Sequence, residues 1–215
     1  MRLLAASLRA VLSAVSRVRV EGIAELPREG PLIVAANHVS NADAAFIGAW
    51  LQPALGRPIQ FMAKEELFRT PLLPVMRAYG AILVKAGGSD AGAYRVARAV
   101  LRRGGIVGVF PEGSRSASGV LSEALHGAAL LATRAESAVL PVAVSGTDRF
   151  LPRGAWRPRL GVPVTVRVGE PFRLRLDPSL EPREAVAAAT DELMRRIAEL
   201  LPPDRRGRHT TVRDG

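Results

Sequence analysis

Two short strings in this chain carry residue types that could do proton-transfer chemistry. The first is Asn37-His38-Val39-Ser40-Asn41-Ala42-Asp43. His38 and Asp43 are five positions apart, so on an ideal helix they would not share a face. They meet if His38 lies in the turn that leaves a strand and Asp43 in the first turn of the following helix. A carboxylate placed there can bond one imidazole nitrogen, fix the tautomer and leave the other nitrogen as a general base. The second string is Phe110-Pro111-Glu112-Gly113-Ser114-Arg115-Ser116, directly after the apolar run Ile106-Val107-Gly108-Val109. A strand ending in a Gly/Ser-rich turn with an arginine can offer backbone N–H groups and a guanidinium to a phosphate. A base and a cationic loop together suit an alcohol that also carries an anionic group.

Each string alone has a plainer reading. Ser40 followed three residues on by Asp43 resembles a helix capping box with Asp in place of Glu. The second string alone is a tight turn with a solvated arginine. Other polar residues offer less. Ser114, Ser116 and Ser118 do not form a nucleophile elbow. His126 fits a helix surface, His209 lies in the C-terminal tail, and Asp148 fits a turn. No His/Asp/Glu group has metal-ligand spacing, so no metal is expected. The chain has no cysteine, which excludes disulfides, thiolate metal sites and a cysteine nucleophile.

The elements that must position the two strings follow from apolar patterning. Leu32–Ala36, Ile59–Met62, Ala81–Val84, Ile106–Phe110, Val139–Val144 and Val164–Val168 read as strands. Ala44–Leu51, Pro71–Ala78, Ala91–Arg103, Glu123–Ala135 and 182–201 read as helices, the last stopped by Pro202-Pro203. This alternation predicts an α/β fold with a mixed, largely parallel sheet flanked by helices. Residues 1–17 read as an N-terminal amphipathic helix, with Leu4, Leu8, Val11, Leu12 and Val15 on one stripe. Such a basic helix either lies in a membrane interface or packs on the domain, and periodicity does not separate the two. The main domain is expected over 18–201 and a disordered polar tail over 202–215.

The 215 residues suffice for one domain with a sizeable core. The formal charge is +10, carried almost wholly by arginine, which implies an anionic partner. Aromatics make up only 5% and no nucleic-acid module is visible, so nucleic acid is not expected. The loop from Arg149 to Arg159 is basic and carries Trp156, which could touch lipid or substrate. No run approaches the ~20 apolar residues of a membrane span. Leu3–Val15 has a basic start and an apolar middle but no small-residue cleavage site after it, so export is not expected.

The two strings in this order resemble the signature of the glycerophospholipid acyltransferase family. Two further blocks extend the match: Gly80-Ala81-Ile82-Leu83-Val84-Lys85, and Val139-Leu140-Pro141-Val142-Ala143-Val144 with its central proline. Lys64-Glu65-Glu66-Leu67, Gly127 and Ala128 add support, and the resemblance spans residues 20–170. It implies a glycerol-3-phosphate acyltransferase-like fold and transfer of a fatty acyl group from acyl-CoA or acyl-carrier protein to a lysophospholipid hydroxyl. The leading acceptor is 1-acyl-glycerol-3-phosphate, giving phosphatidate, and no further cofactor is implied. His38 would be the base and Asp43 its orienting acid. Asn37, Lys85, Glu112, Gly113, Ser114 and Arg115 would bind substrate, with Arg115 on the acceptor phosphate. Glu112 would shape the loop, or hold Arg115 or an acceptor hydroxyl. Backbone N–H groups near the first or third block could hold the oxyanion.

One departure stands out. The family's second block usually ends in acid–arginine, where this chain has Lys85 and Ala86. That leaves acceptor identity open to another lysolipid, an ornithine lipid or a glycolipid. A non-catalytic lipid-binding homologue is the alternative outside enzymology. The implied location is the cytoplasmic face of a membrane, peripheral or monotopic, on an anionic surface.

Overall fold

A computed structural model describes residues 2–24, 26–65, 76–77, 80–84 and 90–209. Seven strands form one sheet: β1 (Ser16–Glu21), β2 (Leu32–Ala36), β3 (Ile59–Lys64), β4 (Ile82–Val84), β5 (Ile106–Val109), β6 (Ala138–Ser145) and β7 (Val162–Val168). Their order across the sheet is β1-β7-β6-β2-β5-β3-β4. Every neighbouring pair is parallel except β6 and β7. The α/β, largely parallel fold expected from the pattern is the fold observed.

Central strands read as unbroken apolar runs because both faces of the sheet are covered. In β2, Leu32, Val34 and Ala36 enter one core while Ile33 and Ala35 enter the other. The first core lies under α1 (Arg2–Val15) and α2 (Asp43–Leu55). The second lies under α3 (Ala91–Arg102), α4 (Gly127–Arg134) and α6 (Pro182–Leu200). A short helix, α5 (Thr147–Phe150), follows β6.

Beyond shifts of a few residues at other ends, such as α2 running on to Leu55, three differences from the sequence reading have a physical reason in the structure. The N-terminal helix ends at Val15, and Ser16 already begins β1. Its Ala5 and Leu12 are buried, and Leu12 joins the core beside α2. The helix therefore packs on the domain, with Val11 turned outward from the expected stripe. Second, α4 begins at Gly127 instead of Glu123. Leu125 N–H donates to the Pro111 carbonyl (2.9 Å) and Ser122 N–H to Glu112 (3.0 Å), which holds 122–125 out of a helix. Third, the tail is structured through His209. Residues 203–205 and 207–209 form single 3₁₀ turns. Leu121 N–H donates to the Arg205 carbonyl, and the Arg205 guanidinium pairs with Asp148 at 3.1 Å. These contacts give a polar segment the partners that composition alone did not show. Most of the helix expected over Pro71–Ala78 lies outside the described residues.

Because β2, β5 and β6 run parallel, their C-terminal ends share one edge. Asn37-His38 leaves β2 there, Phe110–Ser116 leaves β5 there, and Gly146-Thr147 leaves β6 there. The topology thus brings the two strings together across the adjacent β2–β5 pair.

Candidate active site

His38 and Asp43 meet as their spacing predicts. Asp43 opens α2 and its Oδ2 lies 2.8 Å from His38 Nδ1. A carboxylate only accepts, so the proton of this bond sits on Nδ1 and Nε2 is left as the basic nitrogen. Nε2 has no hydrogen-bond partner among the described residues, and the side chain keeps 19% exposure. The imidazole is therefore oriented from behind and open in front.

Asp43 is fully buried (0% exposed), so its charge must be met internally. Val39 N–H and Ser40 N–H each donate to Oδ2 at 2.8 Å. The Thr147 hydroxyl donates to Oδ1 at 2.5 Å. Only half of the expected capping box is present: Asp43 Oδ2 accepts Ser40 N–H, but the helix N-cap is Ala42, without a side-chain cap bond, and the same carboxylate oxygen also holds the imidazole. Ser40 completes the turn, its hydroxyl donating to the Leu151 carbonyl at 2.8 Å.

The second string holds His38 on three sides. The Phe110 ring stacks on the imidazole with centroids 4.1 Å apart and an interplanar angle of 15°. Glu112 Oε1 accepts the His38 backbone N–H at 2.6 Å, and Ser116 N–H donates to the His38 carbonyl at 2.8 Å. Phe110 is backed in turn by Phe61, centroids 5.7 Å apart. That aromatic stack needs Gly108: a Cβ there would lie 2.3 Å from the Phe61 ring.

Two residues expected to touch substrate are instead part of the frame. Glu112 is buried, and its second oxygen accepts from Ser122 N–H and Oγ–H at 3.0 and 2.5 Å. Both oxygens are thus occupied, and Arg115 is not its partner. Of the roles considered for it, Glu112 shapes the loop. Asn37 is also buried; its amide donates to the Val144 carbonyl (2.9 Å) and accepts from Val144 N–H (2.7 Å). It acts as a surrogate peptide on β6 where β2 has ended. Gly113 and Ser114 are exposed on the loop, Gly113 with φ 68°. Arg115 is half-buried and makes no hydrogen bond or ion pair to any described residue. Its guanidinium, on the loop whose Ser116 bonds the His38 carbonyl, is met by no acid among the described residues. Lys85 lies outside the described residues.

Thr147 was missed by the sequence reading. Its place depends on Gly146, which takes φ 91°; a Cβ there would stand 2.1 Å from the Pro163 carbonyl oxygen.

A half-buried histidine on a buried aspartate at the C-terminal edge of a largely parallel sheet, with an arginine on the adjoining loop that has no partner among the described residues, defines a class that the comparisons make specific. Residues 17–145 match the family model described as Acyltransferase, and the chain belongs to that family. Its kinship is with the 1-acylglycerol-3-phosphate O-acyltransferases. A Bacillus subtilis 1-acyl-sn-glycerol-3-phosphate acyltransferase is 26% identical over 90% of this chain and 93% of its own length. The Arabidopsis thaliana chloroplastic enzyme of the same name is 28% identical over 65% of this chain, which spans only 39% of that protein. The crystal structure of the Thermotoga maritima 1-acyl-sn-glycerophosphate acyltransferase superposes with a TM-score of 0.71 at 27% identity, covering 93% of this chain and 79% of that one.

Proposed function

We propose that this protein transfers a fatty acyl group from an acyl thioester, acyl-CoA or acyl-carrier protein, to the free hydroxyl of 1-acyl-glycerol-3-phosphate, giving phosphatidate. The observation that carries this reading is the His38–Asp43 pair: Nδ1 is engaged by a buried carboxylate, and Nε2 has no partner among the described residues. Nε2 takes the proton of the acceptor hydroxyl as its oxygen attacks the thioester carbonyl. The imidazolium formed is stabilised by Asp43. The tetrahedral intermediate collapses, the C–S bond breaks, and the leaving thiolate takes the proton back from Nε2. The products are an ester and a free thiol, and no acyl-enzyme is required. Arg115 binds the acceptor phosphate. Catalysis takes place at the cytoplasmic face of an anionic membrane, with which the protein associates as a peripheral or monotopic protein.

Acyl transfer from radiolabelled palmitoyl- and oleoyl-CoA, and from the matching carrier-protein thioesters, to a panel of lyso-acceptors tests this directly. Wild type should label lysophosphatidate, and His38→Ala should lose transfer while keeping its fold. Labelling that survives in His38→Ala removes the mechanism. His38-dependent labelling of a different lysolipid, with none of lysophosphatidate, reassigns the acceptor and points to the Lys85-Ala86 departure.

A further inference from the structure

Residues 151–161 form a loop with a pinned base and a free tip. Arg159 N–H donates to the Phe150 carbonyl at 2.7 Å, which closes the loop on itself. Its entrance is tied to the site, because Ser40 Oγ–H donates to the Leu151 carbonyl at 2.8 Å. Its exit is tied to the first helix, because Gly161 N–H donates to the Val15 carbonyl at 2.8 Å. From 153 to 161 every residue is exposed. Trp156 is 79% and Leu160 73% exposed, the two highest values among the large hydrophobic side chains described.

The loop is also strongly cationic. Arg153, Arg157 and Arg159 lie in it, and no acid occurs between Arg149 and Gly161. None of these arginines pairs with a described carboxylate, and the Arg157 guanidinium lies over the Trp156 ring, 3.9 Å from its centroid. The N-terminal segment that meets the loop at Val15 is also basic: Arg2, Arg9, Arg17 and Arg19 precede the first acid, Glu21, with which Arg19 pairs at 2.6 Å.

Topology decides what such a loop is for. It leaves the C-terminal end of β6 through α5 and returns to the start of β7, which runs antiparallel to β6. β1 is parallel to β7, so the C-terminal end of α1 reaches the same edge. That is the edge on which His38 opens. We propose that the 151–161 loop is the docking surface for an anionic lipid bilayer, with Trp156 and Leu160 seated at the headgroup level and the flanking arginines on lipid phosphates. This rests on the reading above, that the acceptor is a lysolipid. An indole beside an aliphatic residue, rimmed by arginine, matches the interfacial zone of a bilayer. Single-stranded nucleic acid would call for successive stacking aromatics, and Trp156 is the only aromatic at the tip. Docking this way places the mouth of the site against the membrane, so an acceptor need not leave the bilayer surface to reach His38.

The chain's two tryptophans make the test direct, since Trp50 is buried and Trp156 is not. The full-length protein is mixed with vesicles of equal parts phosphatidylglycerol and phosphatidylcholine, some with brominated acyl chains. Emission of the wild type should shift to the blue and be quenched by the bromines; Trp156→Phe should lose both changes. Trp156→Asp/Leu160→Asp, confirmed folded by circular dichroism, should co-sediment with these vesicles about tenfold more weakly. Equal quenching in wild type and Trp156→Phe overturns the proposal, as does vesicle binding that leaves Trp156 emission unmoved. A shift produced by RNA and not by vesicles assigns the loop to another partner and also overturns it. None of these readings needs turnover, so a protein that docks but transfers no acyl group would overturn the catalytic reading alone. His38→Ala should dock like the wild type.

Discussion

The Thr147 hydroxyl donates to Asp43 Oδ1 at 2.5 Å from a position 104 residues further along the chain. It is the only donor on that oxygen among the described residues, since His38, Val39 and Ser40 all use Oδ2. A carboxylate held on both oxygens inside the protein has no freedom to rotate toward substrate. In the proposed reaction its task is to orient His38 and balance the charge that His38 acquires. Thr147 is therefore a positioning residue, acting through Asp43.

Thr147→Val keeps the shape and removes the donor, leaving a buried carboxylate oxygen unmet. A hydrogen bond to a charged group contributes about 1.5–3 kcal/mol, which corresponds to roughly tenfold or more in rate if it is felt in the transition state. kcat should fall by about that factor with the acceptor KM little changed. Thr147→Ser should restore most of the loss. Steady-state kinetics of the three proteins decides it: equal losses in Val and Ser would mean that methyl packing, not the hydroxyl, is what matters.

Glu112 holds the His38 backbone and Ser122 on separate oxygens. Glu112→Gln keeps one acceptor oxygen and turns an amide NH₂ toward groups that themselves donate. One end of the bridge must then break, at a cost of about 1–3 kcal/mol. For a chain of this size that is a drop of several °C, about 2–4 °C per kcal/mol. Calorimetry should show the lower Tm, and kcat should fall while the acceptor KM holds. A raised acceptor KM with unchanged Tm would return Glu112 to the substrate side.

The C-terminal turns carry a pH dependence. Burial, with Arg208 adding to it, pulls the His209 pKa below its ordinary 6.5. Its Nε2 is buried without a partner among the described residues. A detached tail therefore binds a proton more readily than a docked one. The docking energy is fully present above about pH 6.5 and is lost as pH falls toward the lowered value. Amide exchange over 203–209 should quicken between pH 7 and pH 5 beyond the intrinsic rate change. His209→Asn should remove that extra dependence; an unchanged profile would place the sensitivity elsewhere.

Much of this molecule was legible because its signals are local. The buried runs of β2, β5 and β6 have too few polar residues to be anything but covered strands. The five-residue gap between His38 and Asp43 spans one strand-to-helix turn. β1 was hidden because Ser16-Arg17-Val18-Arg19-Val20 follows an amphipathic helix without a breaker, and its alternation is that of an edge strand. The start of α4 was misplaced because Glu112, ten residues upstream of Ser122, outcompetes the helix for that backbone. Thr147 carried no sequence signal as a site residue, since its partner lies across the sheet. Asn37 and Glu112 were legible as important but not as internal: residue type shows what a side chain can bond, and only the fold shows that its partners are backbone groups.

Arg115 has no hydrogen-bond or ion-pair partner among the described residues, and its proposed role separates substrate binding from catalysis. If the guanidinium grips the acceptor phosphate equally in ground and transition states, Arg115→Ala should raise the acceptor KM and leave kcat nearly unchanged. Loss of a charge-assisted bidentate contact is worth about 1.5–3 kcal/mol, so KM should rise roughly tenfold or more. The acyl-donor KM should hold. Arg115→Lys should recover only part, because an ammonium restores charge without the planar fork. A neutral lyso-acceptor lacking a terminal phosphate should be indifferent to both changes. Kinetics that instead raise the donor KM would move Arg115 to the thioester side, where the phosphates of coenzyme A or of the carrier's prosthetic arm are the anions to be held.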